Sequence, residues 1–191
     1  MYYVRSFVAV LFMVTLTACV QSEQQTANTH QNAQDANTVQ VSFPTDFSDR
    51  QRLVGFADNV FVGHVLSQDR TGLNNNLPVT FYTVEVLKNL KGDLNGKVTV
   101  RQEGGWDERQ QAVVLFEETS LLIPDQTYLF VTISRNGVDF HTTITKYGHV
   151  LLADETSKEQ VVKEFEHAIT HEIPYSRDTA RSSRNLVSPH D

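Results

Sequence analysis

Seven histidines, one cysteine and one tryptophan carry most of the chemistry open to this 191-residue chain. Glu166-His167 and His171-Glu172 place two imidazoles four residues apart. That spacing sets both on one face of a helix, where they can share a metal. A zincin helix needs a glutamate directly after the first histidine as general base, and Ala168 stands there instead. The pair also falls on the side away from the apolar stripe of the same segment, so it reads as a solvated face. His141 and His149, near the last strand segment, are the other metal candidates. They would need a carboxylate and a pocket, which spacing does not reveal. No Gly-x-Ser-x-Gly elbow supports a serine triad, and no Gly-x-x-x-x-Gly-Lys loop offers a phosphate cradle. The residues therefore point to no catalytic set and no metal or other cofactor.

The cysteine has a clearer role. Met1 to Arg5 carries one positive charge, and Ser6 to Leu16 is then an uncharged, largely apolar run. This is the layout of a secretory signal. A spanning helix needs about 20 apolar residues, and here the run breaks into Gln21-Ser22-Glu23. Leu16-Thr17-Ala18 leads directly into Cys19, which resembles the lipobox of bacterial lipoproteins. The resemblance implies removal of residues 1–18, a diacylglyceryl group on the Cys19 thiol, and Cys19 as the new N-terminus. Two acyl chains are roughly what lasting attachment takes, at about 0.8 kcal/mol per buried methylene. Val20 follows the cysteine, where an Asp would imply retention at the inner membrane. The expected location is the cell membrane or outer membrane, lipid-anchored and facing outside the cytoplasm.

Composition agrees with an exported domain that relies on its core. The lone cysteine sits in the processing site, so the mature chain has none to pair. The formal net charge is -7. Nucleic-acid binders carry a basic footprint, so nucleic acid is excluded at this stage as a partner. The expected partners are the membrane, through the lipid, and an unknown envelope protein or polymer.

Residues 19–40 are rich in Gln, Asn, Thr and Ala and read as a lipidated, flexible tether. Residues 41–174 carry the patterned elements. Ser48 and Gln51 have capping-box spacing before a short helix through Leu53, Val54, Phe56 and Ala57. Val60 to Leu66 is apolar on both faces, with Gly63 marking a bulge or a tight barrel bend. Gln68 to Pro78, with Asn74-Asn75-Asn76, reads as a loop. Val79 to Lys88 and Lys97 to Arg101 are strands, and a long polar connection holds Trp106. Ala112 to Phe116 adds a short strand and Thr127 to Ile133 a strongly apolar one. Asn136-Gly137 then signals a hairpin. Val161, Val162, Phe165, Ala168 and Ile169 form a helical stripe, with capping boxes at Thr156/Glu159 or Ser157/Gln160. Residues 175–191 read as a disordered polar tail with Arg177, Arg181 and Arg184.

The expected class is mainly β: five main strands in a small barrel, with a short N-terminal helix and a C-terminal amphipathic helix. Ala57-Asp58-Asn59-Val60-Phe61-Val62-Gly63-His64-Val65, then Tyr82-Thr83-Val84-Glu85-Val86-Leu87 with Leu90-Lys91-Gly92, then Tyr128-Leu129-Phe130, resembles the netrin-like and metalloproteinase-inhibitor-like OB-fold. The eukaryotic inhibitors of that family act through a disulfide-bonded N-terminal cysteine, which this mature domain lacks, so inhibition does not carry over. The expected function is that of a membrane-anchored envelope lipoprotein displaying a binding or scaffolding module. Its binding loops would be Asn74, Asn75 and Asn76 with their neighbours, and the connection around Trp106. The alternative is a metal-dependent envelope hydrolase using His64, His141 or His149.

Overall fold

The computed structural model describes residues 37–116 and 119–175. The signal segment, Cys19, most of the tether and the tail after Tyr175 lie outside the described residues. The described chain is mainly β, with two helices. Its elements are β1 (Asn37–Val39), α1 (Arg50–Phe56), β2 (Asn59–Asn74), β3 (Leu77–Lys91), β4 (Lys97–Glu103), β5 (Gly105–Asp107), β6 (Ala112–Phe116), β7 (Thr127–Ile133), β8 (His141–Thr143), β9 (His149–Leu151) and α2 (Glu155–Thr170).

One sheet runs β2-β3-β4-β8-β7-β9, and β2 also pairs with β7. Strands β2, β3, β4, β8 and β7 therefore close a ring. All its pairings are antiparallel except β4 with β8, where Val100 lies opposite His141. A second sheet, β1-β6-β5, carries Trp106 on β5.

Alternation along β2 and β7 explains why these strands read as apolar on both faces. Phe61, Val65, Tyr128 and Phe130 join Tyr82, Val84 and Val100 in a core inside the ring. Val60, Val62, Leu129 and Val131 point the other way and pack with Leu53, Val54, Val162 and Phe165 from the two helices. Phe61 and Phe130 stack at 5.1 Å between centroids. The expected bulge at Gly63 is present as a register shift between Val62 and Gly63 in the β2–β3 pairing. A Cβ on Gly63 would come within 2.6 Å of Val84 Cγ1 and 3.1 Å of the Phe61 and Phe130 rings. Gly63→Ala is expected to destabilise the fold by about 1–3 kcal/mol through overpacking, read as a lower urea midpoint at unchanged m-value.

The helices are capped by aspartates one to three residues from where the sequence reading placed the caps. The Asp49 carboxylate accepts from the N–H groups of Gln51 and Arg52. For α2, Asp154 accepts from the Ser157 N–H at 2.8 Å, while the Asp154 N–H donates to Ser157 Oγ at 3.2 Å. Asp154→Ala removes that reciprocal box and is expected to cost about 1 kcal/mol, visible as a lower thermal midpoint. Helix α2 buries Val162, Phe165 and Ala168 as the stripe predicts. Ion pairs Lys88–Glu166, Lys91–Glu172 and Arg50–Glu164 line its contact with β3 and α1. They contribute little beside the apolar face.

Several boundaries move. Asn37–Val39, expected in the tether, instead pairs in parallel with β6. Tyr175, expected to open the tail, instead packs its ring on Phe56 at 5.1 Å. The loop expected over Gln68–Pro78 is instead a continuous hairpin, with Asn74 opposite Leu77. Its two turn residues, Asn75 and Asn76, have φ of 50° and 64°. Asparagine tolerates the left-handed region better than most residues, and two such angles in succession define the tight turn that matches strand twist. Among the described residues, no helix is long and apolar enough to cross a membrane.

Candidate functional site

The two segments expected to bind come together, although neither is a loop. Strand β5 is laid against the β2–β3 hairpin by two short bonds. Gly104 N–H donates to Pro78 O at 2.8 Å, and Thr80 Oγ1 donates to Gly104 O at 2.7 Å. Gly104 and Gly105 have φ of 106° and 143°, and a Cβ on Gly105 would lie 2.4 Å from Thr80 Oγ1. Only glycine allows this approach. It places Trp106, 42% exposed, beside the tip of the hairpin.

Asp107 is buried at 1% exposure and holds Arg109 in a fork. Arg109 Nε donates to Asp107 Oδ1 at 3.1 Å and Nη2 donates to Oδ2 at 2.8 Å. Arg109 Nη2 also donates to Asn76 O at 2.6 Å, tying the fork to the turn. The hydrogen bonds from Arg109 hold the Asp107 carboxyl well below the usual carboxylate range. On the other side of the tip, Asn74 Nδ2 donates to Glu103 Oε1 at 3.3 Å, and Glu103 also accepts from Arg101 Nη2 at 2.7 Å. A shallow cavity of about 230 Å³ lies between Leu73, which is 59% exposed, Trp106 and Arg109. Sequence reasoning singled out Trp106 and the asparagines but missed Leu73, Asp107 and Arg109. The available signal was the Gly104-Gly105 pair, which marks a close backbone approach directly before Trp106.

Among the described residues, the histidines do not gather into one site. His64 Nδ1 lies 3.2 Å from Thr127 Oγ1, a local hydrogen bond of the kind its strand position suggests. His141 Nδ1 lies 3.1 Å from Ser134 Oγ, beside Asn59 at the end of β7, and burial lowers its pKa. His149 lies opposite Phe130 in the middle of β7, edge-on to Tyr128 at 5.8 Å. Its Nδ1 is buried without a partner, and burial lowers its pKa to about 4. His167 and His171 are both exposed, with rings 4.3 Å apart. His171 Nδ1 donates to the His167 carbonyl at 3.0 Å, a helix-end contact. Among the described residues, no three His, Cys, Asp or Glu side chains group to hold a metal. The hydrolase alternative therefore has no assembled site there.

No protein-family model matches the chain. No curated protein matches it either. Among solved structures, the crystal structure of yeast Stn1 and Ten1 is similar over 78% of this chain and 82% of that one, at 7% identity and a TM-score of 0.37. No activity is transferred from a likeness of that size. Nucleic acid, excluded above on net charge, is restored as an open partner class. Net charge is a sum over the whole chain and hides local features. Here the exposed Arg70 guanidinium lies 3.6 Å over the Phe81 ring.

Proposed function

We propose that the chain is a bacterial lipoprotein, cut before Cys19 and held to the cell membrane or outer membrane by lipid on that residue. It displays a small OB-like barrel that binds a component of the envelope. The anchor rests on the lipobox resemblance and the short apolar run before it. The barrel reading is supported by five strands whose pairings close on themselves, with a helix before and another after.

The observation that carries the binding role is the exposed Trp106 beside exposed Leu73, on a surface built from two strands and a tight turn. A large aromatic left half open on a rigid frame suits recognition better than packing. The test is co-sedimentation of the lipid-free Cys19→Ser protein with purified envelope fragments of the native host. Saturable binding that weakens about tenfold or more in Trp106→Ala is the expected result. No sedimentation, or sedimentation indifferent to Trp106, would remove this face from the account.

A further inference from the structure

We propose that the cavity between Leu73, Trp106 and Arg109 takes one ring of a neutral, hydroxyl-rich glycan. This rests on the reading of that face as the binding surface and names its ligand class. Four observations point the same way.

The first is size. At about 230 Å³ the cavity falls below the roughly 300–1,000 Å³ typical of drug-sized ligand sites and suits a single small ring. The second is the pairing of an apolar platform with a polar edge. A pyranose presents C–H groups on its face and hydroxyls around its rim. The Trp106 indole offers a flat, electron-rich surface for such C–H groups, and the Leu73 side chain extends the apolar floor.

The third is the fork. Arg109 has five N–H donors in fixed geometry, and three of them are taken up by Asp107 and the Asn76 carbonyl. Among the described residues the Nη1 edge is left to donate to ring hydroxyls, and the exposed Glu108 carboxylate can accept from them. Because Asp107 and the hairpin turn fix the guanidinium in advance, little side-chain ordering is left for binding.

The fourth is charge. The Arg109 cation is already balanced by buried Asp107, and Glu108 adds a negative charge to the lip. An anionic ligand gains little there and meets repulsion. A neutral polyol gains hydrogen bonds at no electrostatic cost.

The experiment uses the full lipidated protein in a non-glycosidic detergent. Trp106 is the only tryptophan in the chain, so its emission reports this site alone. Chitotetraose is titrated in, beside oligothymidylate as a competing class. The proposal expects a saturable shift in emission with chitotetraose, a Kd of about 1 mM or tighter, and roughly tenfold weakening in Arg109→Gln. Saturation-transfer NMR of the sugar extends the test to variants without the indole. Trp106→Phe is expected to keep the transfer and Trp106→Ala to lose it. Unchanged chitotetraose affinity in Arg109→Gln would overturn the proposal. So would a response to oligothymidylate with none to chitotetraose. If chitotetraose gives no response while the Cys19→Ser protein still sediments with envelope fragments through Trp106, the glycan class is wrong and the binding face stands. If both fail, the face itself is misassigned.

Discussion

Truncating Phe130 to alanine should destabilise the domain by about 3–5 kcal/mol, the range for an aromatic removed from a tight core. Phe130 is 0% exposed. Its ring stacks on Phe61 of β2 and meets Tyr128 of its own strand at 5.8 Å, so the packing of β2 against β7 inside the ring depends on it. Its backbone pairs with Phe61 on one side and His149 on the other, which prevents β7 from collapsing into the void. Against a typical total stability of about 5–15 kcal/mol, the variant would lose roughly a fifth or more. The thermal midpoint should fall by about 10 °C or more. A fall of only one or two degrees would mean that the inner core is looser than its burial implies.

Acid should destabilise the protein well before its carboxylates protonate, and His149 should be the main cause. Burial lowers its folded-state pKa to about 4, against about 6.5 in an unfolded chain. Between those values the unfolded state binds a proton that the folded state refuses. The stability that this group contributes is full above pH 6.5 and is lost as pH falls toward 4. The shift converts to roughly 2–3 kcal/mol lost by pH 4. His141 shifts in the same direction, again by burial, and adds to the same window. Asp107 is shifted well below the usual carboxylate range, so its loss falls at lower pH. Urea midpoints measured from pH 7 to pH 4 should slope downward in the native protein and flatten in His149→Gln. An equal slope in the variant would assign the acid sensitivity elsewhere.

Much of the ring was legible because its strands are half or wholly buried. The alternation in Lys97–Arg101, the apolar run at Thr127–Ile133 and the α2 stripe each follow from a period that burial enforces. The two-residue hairpin expected at Asn136-Gly137 is instead a turn inside a longer exposed connection, since β7 and β8 pair only through Thr132–Thr143 and Ile133–Thr142. The β2–β3 hairpin tip was not legible for the opposite reason. Gln68 to Thr71 are all exposed, so nothing in the sequence imposes a period of two, and a polar run reads as a loop. Its turn also uses Asn75-Asn76 where glycine would have announced it. Strand β5 is three residues long and opens on the second of two glycines at positive φ, too short for any period to show. The caps were misplaced because Asp46, Ser48, Asp49, Asp154, Thr156 and Ser157 all offer suitable oxygens, and only the packed helix axis selects among them. For the candidate site, Trp106 stood out as a single large aromatic in a polar stretch. The Asp107–Arg109 fork did not, since its meaning depends on a carbonyl more than thirty residues earlier in the chain.

The central claim is the lipid on Cys19, because it decides where the binding surface works. The most direct test is the intact mass of the protein taken from membranes of its native host, beside the Cys19→Ser form. The expected result is a chain beginning at Cys19 and heavier than its sequence by the acyl groups, with that mature, acylated mass lost in the variant. An unmodified chain released from the membrane, or one still carrying residues 1–18, would contradict it.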